Sequence, residues 1–304
     1  MQTLIDVLQN CLDGIMVGSA YALLGLGFSL IFGVLGRVNL AYGSTILVGV
    51  FAGSTTLSVL PGHPILALVV TIAATVLVGI YVERLCFRAI PQKAALASMV
   101  SSFAIWMQLD EFVIQSPWSQ MYTYSFPAPV EFGVLGLGPL SARVDHVFML
   151  GAAVVLMVFL WWIVSRTSFG RSMRAVSNDV DAAKVLGLNV HSIGFKTFLL
   201  ASALGGCAGY LIAISQQQVT PYFGLWATIK GLIAMIIGGM GSIPGAILGG
   251  LILGIAEIQA DWFFGSEFRE LAAYFLLFAF LIFRPGGLFG QTTGTGADAP
   301  GGRA

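Results

Sequence analysis

The stretch VNLAYGSTILVGVFAGSTTLSVLPGHPILALVVTIAATVLVGIYV, residues 38–82, contains no Asp, Glu, Lys or Arg. A helix needs about 20 apolar residues to cross the hydrocarbon core of a bilayer, so this stretch is too long for one crossing. Pro61, Gly62 and Pro64 interrupt it near its middle, where such residues favour a turn. The stretch therefore predicts two membrane helices, residues 40–60 and 63–82, joined by a short connection.

The composition of the whole chain favours a protein that lies in a bilayer. Of its 304 residues, 57% are hydrophobic and 9% are charged, and 14 basic residues balance 14 acidic ones. Ordinary soluble domains contain about 25% charged residues, and a soluble fold of this size could not hide so much apolar surface. The composition argues against a soluble enzyme or a disordered chain. The zero net charge gives no reason to expect nucleic acid as a partner.

Further apolar stretches predict the remaining membrane helices. Residues 225–258 are also too long for one crossing, and residues 241–245, which include Gly and Pro, break them into two. The predicted spans are residues 14–36, 40–60, 63–82, 94–114, 146–164, 197–215, 227–241, 244–260 and 268–283. The last span is short, and residues 241–245 could instead form a re-entrant turn. We therefore expect an all-α polytopic membrane protein with eight to nine transmembrane helices.

The distribution of Lys and Arg predicts the orientation of these helices. With nine spans, most of the 14 basic residues fall on one side of the membrane, and basic loops face the cytoplasm. The N-terminus is therefore expected outside and the C-terminus in the cytoplasm. One transmembrane domain, residues 1–290, then carries an external loop at 115–145 and a cytoplasmic loop at 165–196. The tail at 291–304 is rich in Gly, Thr, Ala and Pro, and we expect it to be disordered.

The sequence shows no set of catalytic or metal-binding residues. His63, His146 and His191 lie in three different loops or span ends, which does not match the spacing of a metal site. None of the lysines follows a Gly, so the phosphate-binding Gly-Lys-Ser/Thr loop is missing from the sequence. We therefore do not expect the chain to be an enzyme or to bind a cofactor. Transport, channel activity and scaffolding remain.

The cytoplasmic loop contains the most polar sequence of the chain and predicts a short surface helix at about 179–186. Asn178 is a suitable N-cap, Asp181 three residues later forms an imperfect capping box, and Gly187 is a suitable stop. The small side chains on this helix would let another protein surface approach. A solvated connector helix is the alternative interpretation.

Four ordered stretches extend over nearly the whole chain. They are GSAYALLGLG (18–27) running into GVLGRVNLAYG (33–43), the loop segment from Arg171 to Val190, GGMGSIPGAILGG (238–250) and RPGGLFG (284–290). The loop segment resembles the cytoplasmic coupling segment of ABC importer permeases, which docks on an ATPase subunit. Together the four stretches resemble the branched-chain amino acid permease family (LivH/LivM type). The family usually has Asn-Phe-Ala-His-Gly at 39–43, so Leu40 and Tyr42 depart from its pattern.

The resemblance implies a permease subunit of an ATP-driven ABC importer in the inner membrane of a bacterium. It implies a second permease subunit, usually a different one, two cytoplasmic ATPase subunits that use ATP, and an external solute-binding protein that delivers the substrate. The implied substrates are branched-chain or related amino acids. Urea, short amides and other small polar solutes are alternatives, because sister permeases share these motifs. A self-contained channel or secondary carrier is less favoured, because charges are absent from the middle of the predicted spans.

The resemblance also assigns the coupling role to residues of the cytoplasmic loop. These residues are Arg171, Arg174, Asp181, Ala182, Ala183, Leu186 and Gly187. The two arginines are expected to flank the docking helix and to pair with acidic groups of the ATPase. Simple anchoring at the inner membrane face is the alternative for them.

Polar side chains in or beside the spans are candidates for the substrate pathway. Asn39 and Tyr42 are expected at the inner start of the second span. Lys230 is expected about one turn inside the outer end of its span, and Glu257 at a similar depth, where buried ions must be paired. A structural ion pair is the alternative for these two residues. Asp110, at the outer end of its span, is interpreted as a solvated or docking acid.

Glycines at small-xxx-small spacing occur in several spans. The sets are Gly14/Gly18, Gly49/Gly53, Gly241/Gly245/Gly249 and Gly250/Gly254. Such spacing lets membrane helices approach closely. Ordinary helix packing is one interpretation, and helices that slide past each other during alternating access are the other.

Overall fold

The computed structural model describes residues 2–91, 94–116, 124–126, 133–137 and 140–289 of the chain. This part of the chain is almost entirely helical, with two short antiparallel strand pairs. The helices are α1 (Gln2–Leu35), α2 (Tyr42–Val59), α3 (Pro64–Val82), α4 (Ala95–Gln115), α5 (Val144–Arg166), α6 (Ser168–Asn178), α7 (Val180–Val185), α8 (Val190–Gln216), α9 (Phe223–Gly238), α10 (Ile243–Phe264) and α11 (Phe268–Phe283). The strands are β1 (Tyr124–Ser125), β2 (Val134–Leu137), β3 (Leu140–Arg143) and β4 (Gln218–Val219). A π-helical segment, Glu83–Arg88, continues α3.

Each predicted span coincides with one of these helices, which confirms the all-α class. The largest difference is in α1, which begins at Gln2 instead of near residue 14. Its 34 residues correspond to about 51 Å, whereas the bilayer core is about 30 Å thick. The first turns of α1 can therefore extend beyond the apolar layer, where Asp6 and Asp13 do not interrupt the helix. In this region the Gln9 amide makes two hydrogen bonds with the backbone of Ser141.

Six helices in the described residues are long and apolar enough to cross a membrane. They are Ile5–Leu35, Tyr42–Val59, Pro64–Arg88, Val144–Arg166, Val190–Gln216 and Ile243–Phe264. α9 is apolar but shorter, α4 is long enough but carries Asp110 and Glu111, and α11 has 16 residues. These helices indicate a multi-pass membrane protein.

The central helix α1 packs against α10, α8 and α9. Its contact with α10 depends on glycines in both helices. A Cβ atom at Gly18 would lie 2.9 Å from the carbonyl oxygen of Gly250, and one at Gly254 would lie 2.4 Å from that of Gly14. The two predicted glycine pairs therefore face each other, which confirms close packing of the two backbones at these positions.

The second close contact joins α2 to α3. A Cβ atom at Gly49 would lie 1.9 Å from the hydroxyl oxygen of Thr75, and one at Gly53 would lie 2.1 Å from that of Thr71. Both threonines are fully buried. Their hydroxyls donate to carbonyl oxygens one turn earlier in α3 at 2.8 Å, so the interface satisfies its own polar atoms.

Parts of the predicted external loop are ordered as strands. β1 pairs with β4 after α8, with Tyr124 opposite Val219 and Ser125 opposite Gln218. β2 and β3 form a hairpin. The remaining residues of this loop, 117–123, 127–132 and 138–139, and the predicted tail at 291–304 lie outside the described residues.

At one end of the bundle α1, α3, α5 and α11 finish and α8 and α10 begin. We name this the basic end, because it carries Arg37, Arg84, Arg88, Arg166, Arg171, Arg174, Lys184, Lys196 and Arg284. Three of the motifs quoted above meet here. The Leu288 N–H donates to the carbonyl oxygen of Ile237 at 2.9 Å. Gly241, with a φ of 82°, forms the turn between α9 and α10 and contacts Gly33 of α1.

Candidate functional site

The chain between α1 and α2 turns back into the protein interior. Arg37 is 4% exposed and donates to the carbonyl oxygens of Phe87 at 3.0 Å and Ile90 at 3.2 Å, beyond the end of α3. The chain then continues inward, and Asn39 is fully buried. α2 therefore begins inside the bundle. The predicted start at residue 40 is close to the observed start at Tyr42, but the sequence did not indicate that this start is buried by neighbouring helices.

Tyr42 and Asn39 lie at this interior start of α2. The Tyr42 hydroxyl donates to the carbonyl oxygen of Ala201 at 2.9 Å, in the middle third of α8, and the ring occupies the space beside Gly27. Asn39 Oδ1 accepts a hydrogen bond from the Ala41 N–H at 3.1 Å. Asn39 Nδ2 is buried and has no hydrogen-bond partner among the described residues. Tyr42 is thus fixed by its partners, whereas Asn39 keeps an unused donor inside the bundle.

Lys230 and Glu257 belong to a group of five side chains that we name the interior charge cluster: Tyr21, Lys230, Glu257, Arg269 and Glu270. Lys230 Nζ lies 2.6 Å from Glu257 Oε1 and 2.7 Å from Glu270 Oε2. Glu257 Oε2 lies 3.2 Å from Arg269 Nε and accepts a hydrogen bond from the Tyr21 hydroxyl at 2.9 Å. Two positive and two negative charges balance, and the cluster joins α1, α9, α10 and α11.

Lys230 lies deeper than the sequence predicts. α9 begins at Phe223, so Lys230 is at the centre of the helix instead of one turn from its end. Glu257 lies about two turns before the end of α10. The predicted similar depth of Lys230 and Glu257 is confirmed by their ion pair, although Lys230 lies at the midpoint of its own helix. Residues 223–226 are apolar and extend α9 beyond the predicted start at 227.

Three members of the interior charge cluster were not predicted from the sequence. Arg269 and Glu270 are adjacent residues of opposite charge at the start of α11, shortly after the helix that carries Glu257. This closeness in the sequence could have indicated that they contact Glu257. Tyr21 lies in an apolar helix, where a phenol hydroxyl needs a partner. The side chains of Arg269 and Glu270 are 34% and 48% exposed, whereas those of Lys230 and Glu257 are fully buried. The cluster is thus inaccessible to solvent at Lys230 and Glu257 and partly accessible at its α11 residues.

The predicted coupling loop contains two helices, α6 and α7, instead of one. Arg171 and Arg174 lie on α6 and fold back onto the end of α5. The Arg171 guanidinium donates to the carbonyl oxygen of Arg166 at 3.4 Å, and that of Arg174 donates to the carbonyl oxygen of Val164. Cationic donors near helix C-terminal carbonyls are favourable. In this chain both arginines therefore stabilise the turn between α5 and α6.

α7 begins with a side-chain cap. The cap is Asp179 instead of the predicted Asn178, which is the last residue of α6. The Asp179 carboxylate accepts hydrogen bonds from the N–H groups of Asp181 at 2.8 Å and Ala182 at 3.0 Å. Asn and Asp are both good N-cap residues, but the carboxylate of Asp179 also interacts favourably with the positive end of the helix dipole. The predicted stop is correct, because Gly187 has a φ of 77°.

The two sides of α7 offer different surfaces. Ala183 is 1% exposed and packs inside the protein. The other residues predicted for the docking helix, namely Asp181, Ala182, Leu186 and Gly187, are exposed. Val185, which was not predicted, is 89% exposed and lies beside Leu186, which is 75% exposed. Two adjacent apolar residues in an otherwise polar loop could have indicated this exposed contact surface. In the structure they form an apolar tip of α7 at the basic end.

Two solved structures have a similar fold. PsaBC from Streptococcus pneumoniae, in complex with a Fab, aligns over 91% of this chain and 92% of its own, with a TM-score of 0.51 and 12% identity. An inward-facing conformation of a metal-chelate type ABC transporter aligns over 91% of this chain and 87% of its own, with a TM-score of 0.51 and 16% identity. At these identities the likeness concerns the fold alone.

The curated relatives match along nearly their whole length. The high-affinity branched-chain amino acid transport system permease protein BraD of Pseudomonas aeruginosa is 29% identical over 301 residues, which cover 96% of this chain and 98% of BraD. The corresponding LivH protein of Escherichia coli K12 is 27% identical over 304 residues, covering 93% of this chain and 96% of LivH. The family model described as branched-chain amino acid transport system / permease component matches residues 10–284. The chain therefore belongs to the family of branched-chain amino acid transport system permease components.

Proposed function

We propose that this protein is the permease subunit of an ATP-driven importer of branched-chain amino acids in the inner membrane of a bacterium. The observation that carries the proposal is the family match over residues 10–284, from the first helix to the end of α11. BraD and LivH, which are branched-chain amino acid permease proteins, align with 96% and 93% of this chain. The similarity therefore concerns the whole membrane body and not a single motif.

In this proposal nine helices, α1–α5 and α8–α11, cross the membrane. The N-terminus lies outside, the C-terminus lies in the cytoplasm, and residues 1–290 form one transmembrane domain. The concentration of Lys and Arg at the basic end supports this orientation, because basic segments face the cytoplasm. α6 and α7 then lie on the cytoplasmic face.

Partner subunits supply the energy and the substrate. Two cytoplasmic ATPase subunits dock at the basic end and use ATP there, while this chain itself binds no cofactor. A second, different permease subunit completes the pathway, and an external binding protein delivers the amino acid. We assign ATPase coupling to two groups of residues with different tasks. Asp181, Ala182, Leu186 and Gly187 are exposed on or beside α7 for contact, and Arg171, Arg174 and Ala183 hold α6 and α7 in place.

Asn39, Tyr42, Lys230 and Glu257 are assigned to the border of the substrate pathway. The burial and complete pairing of Lys230 and Glu257 support a role in holding the pathway wall. Tyr42 acts in the same way through its hydrogen bond to Ala201. Asn39 Nδ2, a buried donor without a partner in the described part of the chain, is best suited to contact a polar solute when the bundle opens.

Reconstitution in vesicles tests the proposal. The vesicles contain this chain, a candidate second permease and ATPase subunits, with the binding protein added outside. We expect ATP-dependent uptake of leucine, isoleucine and valine above that of urea and acetamide. Uptake of urea or acetamide without leucine would replace the assigned substrate. Vesicles with this chain alone are the control, and uptake by them without nucleotide would overturn the importer assignment.

A further inference from the structure

The Asp110 carboxylate of α4 is held by donors from two side chains. Its Oδ1 accepts a hydrogen bond from the Ser44 hydroxyl at 2.6 Å, and its Oδ2 accepts one from Trp106 Nε1 at 2.6 Å. Gly224 of α9 allows this arrangement, because a Cβ atom there would lie 3.0 Å from Asp110 Oδ1 and 2.8 Å from Ser44 Oγ. Donors from α2 and α4 therefore fix the position of the carboxylate, and α9 leaves room for it.

The carboxylate lies level with the interior start of α2. Ser44 is in the first turn of α2, next to Gly43, whose N–H donates to the Thr228 hydroxyl of α9 at 3.1 Å. Two residues before Ser44, Tyr42 reaches the middle third of α8. The prediction of a solvated acid at the outer surface was therefore wrong. The Asp110 side chain lies within the membrane-spanning body and is partly exposed in the single chain.

Asp110 differs from Glu257 in the charges around it. Glu257 contacts both Lys230 and Arg269. In the described part of the chain, no Lys, Arg or His forms an ion pair with Asp110. A carboxylate has about four lone-pair sites, and the contacts with Ser44 and Trp106 use one on each oxygen. An ionisable group at this depth faces a water-filled path or a charged partner, because lipid does not solvate it.

We propose that Asp110 binds the ammonium group of the amino acid as it passes through the permease, an assignment that rests on the proposed function. The ammonium group supplies the positive charge that the site lacks and donates to the remaining lone pairs of the carboxylate. Ser44 and Trp106 orient the carboxylate through the hydrogen bonds that they donate to its two oxygens. The cluster of Asp110, Ser44 and Trp106 is named the carboxylate site.

The Asp110→Asn variant tests the carboxylate site in vesicles containing the complete importer. The amide keeps the size of the side chain and removes its charge. We expect the maximal rate of leucine uptake to fall by about tenfold or more, because a charge partner of the ammonium group is lost. We expect ATPase co-purification and the basal ATPase rate to stay within about twofold of wild type. The leucine concentration for half-maximal uptake should also stay within about twofold, because the binding protein sets that concentration. Glu111→Gln is the matched control, since the adjacent Glu111 is exposed and bonds to Gln115 on the same helix.

A second variant covers the case in which Asp110→Asn does not assemble. Ser44→Ala/Trp106→Phe keeps the charge and removes both donors, and we expect the same direction of change in leucine uptake. Uptake within about twofold of wild type in either assembled variant overturns the ammonium site. Wild-type uptake that requires Na⁺ or K⁺ in the buffer would assign the carboxylate to a metal cation and also overturn it. If wild type moves no amino acid but another solute, the proposed function fails instead.

Discussion

Lys230 in α9 and Glu257 in α10 form an ion pair with 2.6 Å between Nζ and Oε1, and both side chains are fully buried. Arg269 and Glu270 of α11 add one charge of each sign, so the interior charge cluster is neutral as a whole. Buried charges are stable only when they are paired and hydrogen-bonded. The pair therefore ties the α9–α10 hairpin to α11 and, through Tyr21, to the central helix α1.

The Lys230→Met variant should lose about 3–5 kcal/mol of stability, because it leaves Glu257 as a buried charge with a weaker partner. Thermal unfolding in detergent, followed by circular dichroism, measures the effect. Lys184→Met is the matched control: Lys184 forms a pair with Asp181 at 2.9 Å, but the two side chains are 53% and 90% exposed. Exposed pairs contribute little, so the control should unfold like wild type. A Lys230→Met protein as stable as wild type would contradict the role assigned to the cluster.

The same variant separates a structural role from a pathway role. Adding Glu257→Gln to Lys230→Met removes one charge of each sign, so the double variant should be less destabilised than the sum of the two single variants. Uptake is then measured in whichever of these proteins assembles with the ATPase. Normal uptake with normal assembly would dismiss a direct part for Lys230 in the pathway.

Gly250→Ala should disrupt the contact between α1 and α10. The added Cβ atom would lie 2.3 Å from the backbone nitrogen of Ala22, which cannot move without displacing α1. Overpacking of this kind costs about 1–3 kcal/mol, and unfolding in detergent measures it. Gly151→Ala in α5 is the control, because no atom lies within 4 Å of the new Cβ position. Equal stability of the two variants would be incompatible with the observed glycine contact.

The positions of the spans could be predicted from the sequence because the lengths of the apolar stretches determine them. Pro64 and residues 241–245 also marked the turns correctly, since Gly241 adopts a positive φ that other residues avoid. The glycine pairs of α1 and α10 were found by their spacing. These features depend on neighbours in the chain, which the sequence contains.

Features that depend on contacts distant in the sequence were missed. The start of α2 inside the bundle results from contacts of Tyr42 and Gly43 with α8 and α9. The burial of Lys230 depends on Glu257 and on Glu270, which follow it in the chain by 27 and 40 positions. Asp110 was interpreted as a surface acid because its partner Ser44 lies on another helix. The choice of Asp179 over Asn178 as a cap was a local error, since both residue types cap helices well.

The Asp179→Ala variant should loosen α7, because two N–H groups lose their acceptor. Loss of an N-cap costs about 0.5–2 kcal/mol, which is large for a helix of six residues. We expect weaker ATPase co-purification and slower ATP-dependent uptake, with an unchanged thermal transition of the membrane bundle. Asp179→Asn is the control, since Asn caps as well as Asp. If the Ala and Asn variants behaved alike, the cap would have no part in coupling.

Replacing the apolar tip of α7 should weaken binding of the ATPase subunit under the proposed function. Val185 and Leu186 are 89% and 75% exposed in the single chain and lie at the basic end, whereas Ala183 points inward and holds the helix. Val185→Ser/Leu186→Ser should therefore lower ATPase co-purification by about tenfold or more, since burying a Val or Leu side chain contributes about 1.5–3 kcal/mol and about 1.4 kcal/mol corresponds to a tenfold change in affinity. The α7 cap and fold remain, because neither residue packs inside the protein. Phe263→Ser is the control, an apolar residue that is 62% exposed at the opposite end of the bundle. Undiminished co-purification of the double variant would place the ATPase contact elsewhere, and loss in the Phe263 variant would indicate general unfolding.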